Sequence, residues 1–162
     1  MTGHLQWVRQ FHRLHVEPTL GTPVGCSRSE VAALEAELGG RLPEAYREYL
    51  EWMGRDYGGI FEGSSCFIDH VFENTAGLPQ LLTENSVDWQ LPEKYLAWFM
   101  HQGYTAVWFE VPSSTPDPEC WYFSEGTTPE PRVVGRFSEW LLEDMKGLVD
   151  VSPRISNDAP AP

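Results

Sequence analysis

The chain has 162 residues, of which 24 are acidic and 11 are lysine or arginine, so its formal net charge at pH 7 is −13. Its length fits one domain with one hydrophobic core, because compact domains cluster near about 100 to 150 residues. Strong negative charge repels nucleic-acid phosphates and anionic lipid, so we expect neither a nucleic acid nor a membrane as a partner.

A first helix is predicted over residues 3–15, because Trp7, Phe11 and Leu14 recur on one side of a helix. Pro18 ends this helix, since proline has no amide hydrogen with which to continue it. The glycines and prolines that follow predict a linker to the next helix.

The next helix has the clearest start signal in the chain. Ser27 and Glu30 have the spacing of a capping box, in which each side chain accepts a hydrogen bond from the other residue's backbone amide. The Gly39-Gly40 pair can adopt the left-handed turn that ends a helix. These signals predict a helix from Ser27 to Leu38.

Another helix is predicted almost at once, from Pro43 to Met53. Pro43 suits a first helical position, because the amide that proline lacks would have no partner there. Apolar and aromatic residues then recur on one face up to Met53. The Gly58-Gly59 pair predicts a turn that leads the chain out of the helical region.

After the paired glycines the pattern becomes typical of strands. Residues Cys66–Phe72 are rich in strand-forming types and are predicted as the first strand. Residues 77–82 are long enough for only one or two helical turns. A helical turn is predicted over residues 92–95, and a strand is predicted to follow it.

The second half of the chain predicts an antiparallel meander that ends in a helix. Thr105–Val111 is the strongest strand, with apolar side chains on both faces, and Cys120–Phe123 and Arg132–Val134 are predicted to pair beside it. The last helix is predicted from about Ser138 to Lys146, with Gly147 as its stop.

Several of these motifs resemble the SUKH superfamily. The resemblance rests on the capped helix that ends in Gly39-Gly40, the Leu-Pro-x-x-Tyr-x-x-x-Leu motif over residues 42–50, and the Gly58-Gly59 turn. The strand over residues 107–110 and the helix start over residues 137–141 are also similar to that superfamily. The loose match extends over roughly residues 27–145.

The resemblance implies a non-enzymatic protein-binding module, because the superfamily includes bacterial toxin-immunity proteins and yeast regulators of cell-wall synthesis. The first implied function is an immunity protein that binds and neutralises a cognate bacterial toxin domain, often a nuclease. The alternative is an intracellular regulatory or scaffold protein. A gene for a secreted toxin directly upstream would favour immunity, whereas an isolated gene would favour regulation.

The expected fold is an α+β domain, mainly an antiparallel sheet of about four to six strands flanked by N-terminal helices and a C-terminal helix. One SUKH-like domain is expected over residues 1–150. It comprises an N-terminal helix and linker over residues 1–25 and a core over residues 26–148. Residues 151–162 have three prolines and no apolar period, so we expect a flexible tail there.

The negative charge is concentrated in the middle of the chain. Residues 56–131 hold 12 acidic side chains and one basic side chain, Lys94. Solubility alone could explain this charge, or the charge could attract the basic surface of a toxin domain. We expect the partner-binding residues among the acidic and aromatic side chains of this region: Asp56, Tyr57, Glu62, Asp69, Glu73, Asp88, Trp89, Glu110, Asp117, Glu119, Trp121 and Glu125.

Trp108 is a further candidate anchor for a partner, because large aromatic side chains dominate the energetics of protein interfaces. Packing in the core is the alternative for each tryptophan in this region, since the chain is rich in aromatic residues and needs large side chains to fill its core. The sequence does not decide between these two roles.

Few side chains are placed for catalysis. Cys66 and His70 would share one side of the predicted strand but would lie about 13 Å apart, too far for direct proton transfer. His12 and His15 have a spacing that can bind a metal on a helix, but no motif completes four ligands, so both are expected at the surface. We therefore expect no enzyme activity, no catalytic residue, no cofactor and no metal.

The three cysteines, Cys26, Cys66 and Cys120, lie far apart, as is typical of a reducing compartment rather than a disulfide framework. No apolar stretch has the length of a signal peptide or approaches the about 20 residues needed to span a bilayer. We therefore expect a cytoplasmic protein, and a monomer is the favoured state.

Overall fold

The computed structural model describes residues 3–155. Two neighbouring strands, Tyr95–His101 and Thr105–Glu110, are apolar on both faces, so the sheet must be covered on both sides. The five strands are β1 (Ser64–Ser65), β2 (Tyr95–His101), β3 (Thr105–Glu110), β4 (Glu119–Ser124) and β5 (Arg132–Arg136). Each pairs antiparallel with the next in chain order. The predicted meander is therefore confirmed.

Within residues 3–155, five α-helices pack around this sheet, and the predicted α+β fold with flanking N-terminal and C-terminal helices is confirmed. They are α1 (Gln6–His15), α2 (Arg28–Leu38), α3 (Glu44–Met53), α4 (Val71–Glu84) and α5 (Phe137–Ile155), with a 3₁₀ helix over Ile68–His70 before α4. Among the described residues, no helix has both the length and the hydropathy needed to cross a membrane.

The start and end signals of α2 act as predicted. The Ser27 hydroxyl accepts a hydrogen bond from the Glu30 amide at 3.3 Å, and Glu30 Oε2 accepts one from the Ser27 amide at 2.8 Å. Gly39 ends the helix in the left-handed conformation, with φ of 69°. Local sequence chemistry is sufficient to position this helix.

The Gly58-Gly59 turn needs glycine at both positions. Their φ angles are 65° and 91°, in the region that side chains with a Cβ rarely adopt. At Gly58 a Cβ would also lie only 2.6 Å from the Gly21 carbonyl oxygen. This close approach packs the turn against the linker that follows α1.

An aromatic cluster holds the main core together. Tyr46 and Tyr49 of α3 are fully buried and stack with ring centroids 5.8 Å apart. Trp98 of β2 lies 5.4 Å from Tyr49 and 4.8 Å from Phe137 of α5, and Phe109 of β3 lies 5.3 Å from Tyr46. These edge-to-face contacts join α3 and α5 to β2 and β3.

The structure corrects the prediction for residues 66–82. The predicted strand Cys66–Phe72 and the short turns over 77–82 are instead the 3₁₀ helix and α4. The buried side chains of α4 recur at helical spacing: Val71, Asn74, Leu78, Leu81 and Leu82. Pro79 argues against a helix in the sequence and so masks this helical spacing, because proline inside a helix removes a hydrogen bond and is rare there.

Pro79 also explains how α4 docks on the sheet. Because Pro79 has no amide hydrogen, the Thr75 carbonyl has no helical donor four residues later. The Tyr95 hydroxyl donates to this carbonyl at 3.2 Å. The Thr75 hydroxyl accepts a hydrogen bond from the Ala97 amide at 3.1 Å, beside a register shift in β2. The carbonyl group that Pro79 leaves without a helical donor thus accepts a hydrogen bond from the strand.

Two predictions about the other elements are also wrong. Residues 92–95 form no helical turn, although the expected strand does begin at Tyr95. Helix α5 continues through Gly147 to Ile155, because Leu148 and Val149 pack against the main core and offset the low helix propensity of glycine. The predicted tail is therefore helical up to residue 155, and residues 156–162 lie outside the described residues.

His12 is buried rather than on the surface, as had been expected for it and for His15. Its side chain is 1% exposed, and its ring packs edge-on against Trp52 with centroids 5.2 Å apart. Its Nε2 has no hydrogen-bond partner among the described residues. Burial lowers the pKa of His12, although Glu17 opposes this effect. His15 is exposed, as predicted.

The two buried tyrosines of α3 should respond differently to loss of the hydroxyl. Tyr49 donates to the Cys66 carbonyl at 3.1 Å, whereas the Tyr46 hydroxyl has no partner among the described residues. Tyr49→Phe should lower the free energy of unfolding by about 1 kcal/mol, while Tyr46→Phe should be neutral or stabilising. Urea unfolding measures both variants, and a larger loss in Tyr46→Phe would contradict the hydrogen-bond assignment.

Acid should destabilise the protein partly through His12. Its folded pKa is lowered from 6.5, so its stabilising effect is complete above that pH and is lost as the unfolded chain takes up protons below it. Urea unfolding at about pH 7.5 and about pH 5 should show a smaller acid-induced loss for His12→Phe than for the natural chain. His15→Gln is the matched control, and an equal loss in both variants would refute the role of His12.

Candidate protein-binding site

A cleft of about 450 Å³ opens where β3 ends and β4 begins. Glu110 of β3, Glu119 and Trp121 of β4, and Arg136 of β5 line one side of it. The loop over residues 112–118 lines the other side. We call this site the acidic cleft, because carboxylates outnumber the single guanidinium among its lining residues.

Strand register explains why two glutamates meet in the acidic cleft. Trp108 pairs with Trp121, so Glu110 and Glu119, each two residues further along, lie at the same end of this strand pair. Both side chains are exposed, and neither forms an ion pair with a described residue. Neighbouring like charges repel each other, so the site retains negative charge that the protein does not neutralise.

Arg136 is the only cation among the residues that line the acidic cleft. It pairs with Glu119 in the β4–β5 ladder, and its backbone amide donates to Glu139 at 2.9 Å. Its guanidinium forms no ion pair with a described residue. Arg136 is therefore available to orient an acidic group of a partner beside the two glutamates.

Trp121 gives the acidic cleft an apolar surface, and Trp89 contacts Trp121 from outside the lining. Trp121 and Trp89 are both half-buried, and their ring centroids lie 5.2 Å apart. Trp89 follows α4 in the chain and packs against the second core, in which α4 covers one face of the sheet. This tilted ring contact restrains both side chains, and Trp121 places apolar surface next to the carboxylates, a combination that is typical of protein interfaces.

The loop that lines the acidic cleft is anchored to two helices near its C-terminal end. The Pro116 carbonyl accepts a hydrogen bond from the Ala45 amide at 2.9 Å, at the start of α3. The Pro118 carbonyl accepts one from the Phe137 amide at 2.8 Å, at the start of α5. Because the loop is tied to two core helices, a partner would meet a surface that is already ordered.

Asp117 has a structural role within this loop. It is 7% exposed, and its carboxylate accepts hydrogen bonds from the Ser138 hydroxyl at 2.6 Å and the Ser138 amide at 3.1 Å. A carboxylate at a helix N-terminus satisfies free amides and interacts favourably with the helix dipole. The sequence grouped Asp117 with the binding residues, but its oxygens already cap α5.

A second group of predicted residues lies beside β1 and is largely engaged within the protein. Arg55 donates to Asp69 at 3.0 Å and also contacts Glu30, whose pKa is lowered to about 2 chiefly by that contact. Asp56 accepts a hydrogen bond from the Gly58 amide at 2.7 Å. Tyr57 is half-buried and stacks on Phe67, with ring centroids 4.7 Å apart. Asp69 thus forms an ion pair within the protein, whereas Glu110 and Glu119 form none with a described residue.

The structure places the remaining predicted residues apart from the acidic cleft lining. Glu62, Glu73, Asp88 and Glu125 are exposed, and none of them forms an ion pair with a described residue. Trp108 is fully buried in the second core, so it is a core residue and not an exposed anchor. The acidic cleft therefore unites Glu110, Asp117, Glu119 and Trp121, and Trp89 contacts the Trp121 ring.

The cysteine and histidine considered for catalysis lie in a structural setting. Cys66 is fully buried, and burial raises the pKa of its thiol to about 12, so the thiol stays protonated at neutral pH. The His70 ring packs against Phe67, and its Nδ1 has no hydrogen-bond partner among the described residues. A protonated buried thiol is a poor nucleophile.

Sequence reasoning missed Arg136 and the loop that faces it. No motif marks Arg136, because its position opposite Glu119 depends on the β4–β5 register, which has an irregularity between Glu119 and Trp121. The loop carries two serines and three prolines, a composition that indicates only a turn. Local composition carried no signal that this loop forms one side of a cleft.

The sequence of this chain matches a known protein family over most of its length. The model of the SMI1/KNR4 family (SUKH-1) matches residues 25–143, which are 119 of the 162 residues. The chain belongs to the SMI1/KNR4 family. The family match confirms the SUKH resemblance and supports, at family level, a module that acts by binding other proteins. No curated protein matches the chain.

Two carboxylates of the acidic cleft should differ in their effect on stability. Asp117→Ala removes the cap of α5 and should lower the free energy of unfolding by about 1–3 kcal/mol. Glu119→Ala removes an exposed side chain without an ion-pair partner among the described residues and should change it by less than about 0.5 kcal/mol. Urea unfolding compares the two variants, and equal losses would contradict the separate roles.

Proposed function

We propose that this SMI1/KNR4 family member is an immunity protein that binds and neutralises a cognate toxin domain through the acidic cleft. The observation that carries this proposal is that Glu110 and Glu119, which form no ion pair with a described residue, lie next to Trp121 and its ring contact with Trp89. The charged groups attract a partner from a distance, and the aromatic groups beside them contribute binding energy once the partner is in contact.

The charge of the site favours a partner with a basic surface. A nuclease must hold a polyanion, so it presents lysine and arginine side chains around its active site. The acidic middle of this chain, with 12 acidic residues and one basic residue over residues 56–131, offers the complementary field. Long-range attraction of this kind accelerates association and weakens as salt screens it. A nuclease is therefore the toxin class that fits best.

The two tryptophans supply the apolar part of the interface. Tryptophan is enriched among interface residues whose truncation costs most, especially where neighbouring groups exclude water. Trp121 lines the acidic cleft and is held by Trp89, so little conformational entropy is lost when a partner covers it. An arginine of the partner could stack on Trp121 while the glutamates accept its hydrogen bonds.

Co-expression with the toxin domain encoded by the neighbouring gene tests the function in cells. The natural chain should restore growth, and purified proteins should form a complex of one copy of each, as expected for a monomeric cytoplasmic inhibitor. Failure to restore growth together with no detectable complex would reject the immunity function. Growth of cells that express the toxin domain alone serves as the reference.

Binding to an inactivated toxin domain tests the acidic cleft itself. Glu110→Gln combined with Glu119→Gln should weaken affinity at least about tenfold, mainly by slowing association. Trp121→Ala should weaken it by about 2 kcal/mol through faster dissociation. Raising salt from about 0.05 M to about 0.5 M should also weaken binding of the natural chain at least about tenfold.

A matched control removes the same charge elsewhere. Glu37→Gln combined with Glu130→Gln changes two exposed glutamates that do not line the acidic cleft. This variant should retain affinity within about threefold, because loss of distant charge alters only the long-range field. Equal weakening by both double variants would reject the acidic cleft as the binding site, even if the toxin is neutralised.

A further inference from the structure

A second pocket lies beside the acidic cleft, between the end of α2 and the residues that flank β2 and β3. Its volume is about 150 Å³. Its lining combines apolar and basic side chains, namely Leu38, Leu42, Val111, Arg41 and Lys94. We call it the Arg41–Lys94 pocket. Pro112 lines this pocket and the acidic cleft, so the two sites form one continuous surface that a single partner can cover.

The two cations of the Arg41–Lys94 pocket are not neutralised within the described part of the chain. Arg41 and Lys94 are exposed, neither forms an ion pair with a described residue, and no acidic residue lines the pocket. The Glu35 carboxylate beside one wall is paired with Arg47 at 3.2 Å. The pocket is therefore a local site of positive charge in a chain of net charge −13.

Both walls of the Arg41–Lys94 pocket are held by hydrogen bonds. On the α2 side, the Gly40 amide donates to the Glu35 carbonyl at 3.1 Å, and the Leu42 amide donates to the Glu35 carboxylate at 2.9 Å. On the strand side, the Val111 amide donates to the Lys94 carbonyl at 3.1 Å. Because the backbone of both walls is tied down, a ligand would pay little to order the pocket.

Size and charge together limit what can occupy the pocket. Its volume of about 150 Å³ is below the about 300–1,000 Å³ of a typical small-molecule site, so it suits a single side chain. Polyanions such as nucleic acids and anionic bilayers are repelled by the net charge of the protein. One carboxylate on an apolar stem satisfies both the cations and the apolar walls, and the glutamate side chain has this form.

We infer that the Arg41–Lys94 pocket binds a glutamate side chain of the toxin domain, next to the cationic group that the acidic cleft binds. This inference rests on the proposed function and adds a requirement on the partner, which must carry an acidic residue beside its basic surface. Charges that alternate across an interface fix its register and exclude partners without the matching pattern. A uniformly basic partner would place like charge against Arg41 and Lys94.

Removing the two cations is a sharp test, because the net charge and the pocket predict effects of opposite sign. Arg41→Gln combined with Lys94→Gln changes the net charge from −13 to −15, which strengthens long-range attraction to a basic partner. If the pocket binds a carboxylate, the variant instead binds the inactivated toxin domain at least about fivefold more weakly, mainly through faster dissociation. Surface plasmon resonance measures both rates, and unchanged or tighter binding would overturn the inference.

A matched control removes two cations elsewhere. Arg13→Gln combined with Arg28→Gln changes two exposed arginines that line neither site. This control has the same net charge as the pocket variant and should bind the toxin domain at least as tightly as the natural chain does. Equal weakening in both double variants would assign the effect to total charge and so overturn the inference.

A peptide probe tests the pocket without the toxin domain. The probe is the capped tripeptide Leu-Glu-Leu, and the matched peptides are Leu-Gln-Leu and Leu-Lys-Leu. The NMR amide signals of Gly40 and Val111 should shift with the glutamate peptide at about 10 mM, and the shifts should be lost in the Arg41→Gln, Lys94→Gln variant. The net charge alone would favour the lysine peptide. Equal shifts with the lysine peptide, or none with the glutamate peptide, would overturn the inference.

The inference and the proposed function fail in different ways. A natural chain that neutralises the toxin but binds it equally well without the two cations would overturn only the pocket. A chain that neither restores growth nor forms a complex would reject the immunity function, and binding of the glutamate peptide would then still support the pocket as a carboxylate site.

Sedimentation velocity tests whether a second copy occupies the pocket. A dimer of the natural chain that dissociates in the Arg41→Gln, Lys94→Gln variant would identify an acidic residue of a second copy as the ligand and so overturn the inference. Under the inference, the natural chain and the variant both sediment as monomers.

Discussion

Burial of the aromatic cluster is the constraint on which the rest of the fold depends. Tyr46 and Tyr49 can both be buried only if β2, β3 and α5 surround α3, because rings of this size need partners on several sides. Phe137 joins the cluster as the first residue of α5, so the same packing that closes the core also fixes where that helix begins. The Asp117 cap then holds the loop beside it.

The acidic cleft forms because the helices cover the two faces of the sheet to different extents. On one face, α1, α3 and α5 contribute to a large core, whereas α4 covers the other face with a smaller set of leucines. Beyond this cover, Trp89 packs on Trp121, and the ends of β3 and β4 project Glu110 and Glu119 to solvent. The site is thus a consequence of where α4 stops, and its loop is ordered by contacts with the main core.

The acidic side chains near Arg55 and those of the acidic cleft differ in whether they form ion pairs within the protein. Beside β1, Arg55 neutralises Glu30 and Asp69, and those contacts help hold the loop after α3 to α2. In the acidic cleft, Glu110 and Glu119 have no such partner among the described residues, although Arg136 is near. Unrelieved repulsion in the free protein makes a cationic partner more favourable, since its binding removes that repulsion.

The sequence by itself determined α2, α3, the antiparallel order of β3, β4 and β5, and the family, because the capping box, the glycine turns and runs of strand-forming residues are local signals. Helix α4 escaped detection because Pro79 contradicts helix propensity and only packing on β2 compensates. Acidic and aromatic composition indicated the kind of partner but could not separate Asp117, which caps α5, from Glu119, which faces solvent. Tertiary structure decided that difference, because burial and strand register depend on residues far apart in the chain.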